Sequence, residues 1–142
     1  VFKEGFYIPD NVYIIGTMND IDRSVESFDF AMRRRFAWKE IKAEDRLSMW
    51  EGQIDEWAEE GKQRLINLNS AIESVQGLSA AYHVGPAYFL KLANYNGDFD
   101  KLWMHHLQSL LFEYLRGYPD ADEQLASLKN AYNLVNADAS YD

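Results

Sequence analysis

The chain has 142 residues, 47% of them hydrophobic, with a formal net charge of −9 and no cysteine. That length can bury one sizeable core, or a core and a small satellite. The missing cysteines exclude disulfides and thiolate metal sites, and the acidic balance excludes a surface that binds nucleic acid over its whole extent. No apolar run reaches bilayer length and no basic-then-apolar leader opens the sequence, so a soluble cytoplasmic protein without membrane contact is expected.

In chain order, Val1 is followed by a turn-like KEG and then a strand, an opening that suggests a piece of a longer protein. Pro9 and Asp10 mark the start of a β-branched, aromatic run, Asn11 to Thr17, of the kind buried on both faces of a parallel sheet. From Ser24 to Arg35 the pattern is helical, with Val25, Phe28 and Met32 at intervals of three and four, and Phe36 to Ile41 (FAWKEI) alternates like a second strand. Everything beyond reads as helix. Leu47, Trp50, Ile54 and Trp57 form one apolar stripe and Leu65, Leu68, Ile72 and Val75 the next, with Gly61 as a break between them. Leu107, Leu110, Leu111, Tyr114 and Leu115 make a third stripe, stopped by Gly117, Tyr118 and Pro119, and Leu125, Leu128, Tyr132 and Val135 make the last. Two strands alone do not make a stable sheet, so their neighbours are expected to lie in another segment.

Ligands of open α/β sheets bind beyond the carboxyl ends of the strands, which is where Asn19 stands. Its amide both donates and accepts, as a residue holding water against a terminal phosphate must. Asp22 and Arg23 follow closely enough to fix that amide. The same residues also fit an ordinary turn and helix N-cap, with Ser24 as a further cap. Arg33, Arg34 and Arg35 close the helix. Successive helical residues diverge by roughly 100°, so the three serve different partners. One reading pairs Arg33 with Asp29 and leaves the rest to the helix dipole; the other sends a guanidinium to a phosphate on a neighbouring subunit.

The order strand, TMN, DRS, helix, RRRF, strand resembles the back half of an AAA+ nucleotide-hydrolysing module. NVYIIGTMN with DRS and FAMRRRF is more similar still to the McrB-like GTPase subunits of modification-dependent (5-methylcytosine) restriction endonucleases. Ile66 to Ile72 (INLNSAI), Val84 to Phe89 (VGPAYF) and Leu110 to Leu115 (LLFEYL) resemble segments of that family's helical lid. The resemblance implies a mainly α fold: residues 1–42 end an AAA+ α/β core, with remnant strands and the finger helix, and 43–142 form a helical-bundle lid domain. It implies that Asn19 senses the terminal phosphate with Thr17 beside it at the nucleotide, that Asp22 organises the attacking water or its surroundings, and that Arg34 and Arg35 are the arginine finger and its support. Arg33 lies one position early for that role. GTP or ATP with Mg²⁺ belongs to the parent protein, with none expected on this fragment. The implied partners are neighbouring subunits of a ring, a hexamer by expectation, a McrC-like nuclease subunit, and DNA through the parent complex; the fragment alone is expected to be a monomer. Two departures stand out: Asp20-Ile21 replaces the family's Thr-Ala after TMN, and Pro86-Ala87 replaces its His-Ser.

No GxxxxGK[ST] phosphate loop and no apolar strand ending in Asp-Glu occurs in these residues, so the fragment is not expected to hydrolyse nucleotide alone. The asparagines and aspartates between Asn94 and Asp100 mismatch a calcium loop, with Phe99 at the glycine position and His105 at the bidentate glutamate position. Adjacent His105 and His106 diverge on a helix, and His83 reads as a capping or packing residue, so no metal site is expected. Two alternatives stay open: a non-catalytic helical interaction module, and a fragment of another AAA+ ATPase of MoxR-like or dynein-like type.

Overall fold

The computed structural model describes residues 7–18 and 30–135, and every regular element among them is helical. The first is α1 (Phe30–Arg33). Tight 3₁₀ turns occupy Ala43–Trp50, started where the Asp45 carboxylate accepts the Lys42 amide at 3.0 Å. Gly52, at φ 70, turns the chain while its amide donates to the Asp55 carboxylate at 2.9 Å. A short turn over Asp55–Trp57 leads into α2 (Ala58–Ser74), whose first turn carries Glu59 and Glu60 against the positive end of the helix dipole.

Gly61 does not break this helix; it lies inside α2 and is buried. A Cβ there would stand 3.3 Å from Phe89, so the missing side chain lets the helix approach the core closely. Beyond Val75 come turns at Ala80–Tyr82 and a longer 3₁₀ stretch, Pro86–Tyr95. Proline suits the first position of that stretch because its absent N–H has no partner to lose. Asn96 at φ 50 and Gly97 at φ 78 end it in the left-handed region, which asparagine and glycine tolerate best. Asp98 then caps α3 (Phe99–Leu102), accepting the Lys101 amide at 2.9 Å; that bond holds its carboxyl below the usual carboxylate range. A π-type turn over Trp103–Leu107 continues the rod into α4 (Gln108–Tyr114), and after Gly117 and Pro119 the chain returns as α5 (Ala121–Asn133).

Among the described residues, the buried apolar side chains lie between Trp50 and Tyr132. The four stripes read from periodicity supply most of them: Trp50 and Ile54, then Leu65, Leu68, Ile72 and Val75, then Leu107, Leu111 and Leu115, then Leu128 and Tyr132. Each large side chain removed from water contributes roughly 1.5–3 kcal/mol before the entropy of ordering the chain opposes it. Phe89 sits at the centre, its ring 5.5 Å from Trp50 and 6.4 Å from Tyr132. Arg64 ties α2 to the end of α5. Its guanidinium meets Glu60 at 2.7 Å and the Tyr132 carbonyl at 3.1 Å while lying over the rings of Phe99 and Tyr132.

The two expected strands are not formed among the described residues. Tyr13 is 88% and Ile15 93% exposed, residues 36–41 are all exposed, and neither stretch pairs with another. A strand's hydrogen bonds are made to neighbouring strands, and the described residues provide no ladder for either run. The β-propensity of VYIIGT therefore has nothing to act on.

Candidate functional site

The residues singled out for nucleotide chemistry fall into two groups. Asn19 and Asp22 lie outside the described residues. Thr17 is exposed in a stretch without regular structure, and Arg34 and Arg35 are exposed in the turn that follows α1. No hydrogen bond or ion pair joins Thr17 to either arginine among the described residues.

Arg33 is placed differently from its two neighbours. The Trp38 indole N–H donates to the Arg33 carbonyl at 2.8 Å, and the Arg33 guanidinium lies 5.6 Å from the centre of the Trp38 ring. One side chain thus satisfies a carbonyl at the helix end and occupies the cation that precedes the turn. Arg34 and Arg35 are exposed in the turn that separates Arg33 from Trp38. Trp38 was not singled out from the sequence, because the alternation of FAWKEI presents it as a strand residue.

In the helical part the most constrained polar group is Asn69, 7% exposed among apolar neighbours. Its amide donates to the Val84 carbonyl at 3.1 Å while its carbonyl accepts the Val84 amide at 2.8 Å. That two-way clasp fastens the start of VGPAYF to α2 and satisfies both backbone groups of a buried residue. The sequence carries a signal for it: Asn69 stands four residues after Leu65 and three before Ile72, on a stripe otherwise apolar. From the other side, the Trp50 indole donates to the Pro86 carbonyl at 2.8 Å. The segment that carries Pro86 and Ala87, which replace the polar pair of the resembled segment, is therefore held at Val84 and at Pro86 by side chains of other elements.

Next to this segment, His83 Nε2 comes within 2.7 Å of Glu73 Oε1, off the line a hydrogen bond needs, so the contact is one of charge when the imidazole is protonated. Tyr95 lies between the two histidines of the π-type turn, stacked on His105 with 5.8 Å between ring centres and bonded through its hydroxyl to His106 Nε2 at 2.9 Å. Both imidazoles thus turn to one tyrosine, and among the described residues no group of three His, Asp or Glu converges as a metal site. The Tyr132 hydroxyl donates to the Phe99 carbonyl at 3.0 Å, and its burial pushes the phenol well above its ordinary range. A shallow groove with Met104, Phe112 and Leu125 along its walls opens between α4 and α5. Among the described residues, no helix is long and apolar enough to cross a membrane.

Residues 60–122 match the family model described as "McrB, alpha-helical lid domain". This span takes in most of α2, the Asn69 clasp, the VGPAYF segment and the α3–α4 rod. The chain is also similar to the type IV methyl-directed restriction enzyme EcoKMcrB subunit of Escherichia coli (strain K12), 55% identical over 40 residues. That stretch is 28% of this chain and 9% of the E. coli protein, so the match spans about a tenth of its relative. No solved structure gives a significant match. Over residues 60–122, then, the chain is similar to the α-helical lid domain of McrB proteins.

Proposed function

We propose that this chain is the sensor and lid part of a ring-forming AAA+ NTPase, with GTP the favoured substrate and ATP the alternative, which serves as motor subunit of a methylation-dependent restriction endonuclease. The observation that carries the reading is the lid-domain match over residues 60–122, joined to the TMN–DRS–RRRF order that precedes it. Residues 1–42 close the nucleotide-binding core and 43–142 form the lid. The parent works in the cytoplasm with neighbouring copies of itself in a ring, a hexamer being the favoured number. A McrC-like nuclease subunit cuts, and DNA is engaged by the whole complex.

In this reading a water attacks the γ-phosphorus as the bond to the bridging oxygen breaks. Asn19 holds that water and the γ-phosphate oxygens, with Thr17 beside it and Asp22 orienting the amide. Arg34, supported by Arg35, meets the charge that develops on a neighbour's phosphate. Such guanidinium contacts accelerate phosphoryl transfer by about 10³–10⁵-fold. Residues of the parent's nucleotide-binding half would hold Mg²⁺, which would neutralise charge on the phosphates. The lid contributes rigidity: Asn69, Trp50 and Arg64 hold its segments in fixed relation, as a body that closes over a nucleotide and passes its angle to the next subunit must be held.

The test uses the full-length parent. Asn19→Ala and Arg34→Ala should each lower GTP turnover by at least about a hundredfold while nucleotide binding persists. Mixed together they should recover part of the activity, because one subunit then supplies the sensor and the other the finger. Unchanged turnover in both variants would favour the rival reading, a helical interaction module docking through the exposed Met104 and Phe112.

A further inference from the structure

The Arg33–Trp38 contact gives the arginine triplet a division of labour that the sequence alone left open. Three adjacent guanidinium groups at a helix end repel one another, and each is attracted to the same unsatisfied carbonyls. An uncapped carbonyl there is a local trap: a long, flexible arginine folds back onto it and is lost to any distant phosphate. In this structure the Arg33 carbonyl is taken by the Trp38 indole N–H at 2.8 Å, and the Arg33 guanidinium rests on the same ring. Trp38 itself is 52% exposed and lies outside the buried core.

We propose that Trp38 is a positioning residue for the arginine finger: it holds Arg33 and the last carbonyl of α1, so that Arg34 and Arg35 alone extend toward a phosphate on the neighbouring subunit. The inference rests on the finger reading above and adds a residue that acts through it. Trp38 touches no reacting atom. Its indole N–H closes the trap and its ring face keeps the first guanidinium out of the way. The two functions separate chemically, since phenylalanine keeps a ring face and loses the donor.

The experiment places Trp38→Ala, Trp38→Phe, Arg34→Ala, Arg35→Ala and Asn19→Ala in the full-length parent and assays GTP turnover singly and in equimolar pairs. Trp38→Ala should lower kcat by about tenfold and Trp38→Phe by about fivefold, the loss expected from one or two weak contacts. KM for GTP should stay within about twofold, since the sensor side is intact. The pairings carry the decision. Trp38→Ala mixed with Asn19→Ala should recover activity, because a sound finger then faces a sound sensor; mixed with Arg34→Ala it should not. A merely structural defect would not discriminate between these partners. Where Trp38→Ala melts early, Trp38→Phe carries the same comparison. Wild-type kcat in both Trp38 variants, or recovery that ignores the partner while Arg34→Ala is still rescued by Asn19→Ala, overturns the positioning role alone. Full activity in both Arg34→Ala and Arg35→Ala overturns the finger reading and this proposal with it.

Discussion

Asn69 shows how one side chain sets the position of a whole segment. Its amide spans the two backbone groups of Val84, a residue only 1% exposed, where water cannot replace a lost partner. Asn69→Ala leaves a buried N–H and a buried C=O unpaired and opens a small void. Each unpaired group costs about 1–3 kcal/mol, so a loss of about 3 kcal/mol is expected in urea unfolding of this chain. Asn69→Leu should fare no better despite filling the void, because the two Val84 groups stay unpaired. If Asn69→Leu matches wild type, packing rather than hydrogen bonding explains the position. Residues of this kind are only partly legible in a sequence. A polar residue on an apolar stripe announces a buried bond, yet the partner, 15 residues away at Val84, depends on a path through the turn at residues 75–77 and the 3₁₀ turn Ala80–Tyr82.

At the scale of elements, the period of 3.6 was the readable feature. Leu65, Leu68, Ile72 and Val75 are buried as their spacing requires, and the stop at Gly117 to Pro119 ends the rod as expected. What spacing conceals is how tightly the elements approach. Gly61 reads as punctuation because glycine costs about 1 kcal/mol in a helix relative to alanine. In the fold it is a contact: a Cβ would meet Phe89 at 3.3 Å and Trp50 at 3.6 Å. Phe89 is fully buried between Trp50 and Tyr132 and has little room to give way. Gly61→Ala therefore sets a gain in helix propensity of about 1 kcal/mol against overpacking of about 1–3 kcal/mol, and a net loss near 1 kcal/mol should appear in its urea midpoint. A rise in stability equal to the propensity gain would mean that the core yields there. The 3₁₀ winding of Ala43–Trp50 and Pro86–Tyr95 was equally invisible, since its side chains still recur every three to four residues.

At the scale of the whole molecule, the chain divides by where its hydrogen bonds can be made. Helices satisfy their backbone from within, so α2 and the α3–α4 rod form wherever their apolar stripes can meet. A strand depends on neighbours, and VYIIGT and FAWKEI, though plainly strand-like in composition, leave their side chains in water. The same physics makes a kinetic statement. In this chain by itself, backbone amides of residues 12–18 and 36–41 should exchange with solvent deuterium within seconds, while those of α2 wait for cooperative opening of the core and exchange orders of magnitude more slowly. Val12 is the exception within the first stretch, because its N–H donates to the Pro9 carbonyl across a turn at 3.2 Å. On the proposed function, both stretches should become protected in the full-length parent, where the sheet of a nucleotide-binding core would supply their ladders, with no matching change in α2. Peptide-level exchange by mass spectrometry reads both states. Equal protection of 12–18 and α2 in the short chain would mean that the strands find partners within it, and exposed Tyr13 and Ile15 would then have to be explained by something other than a sheet that is completed from outside.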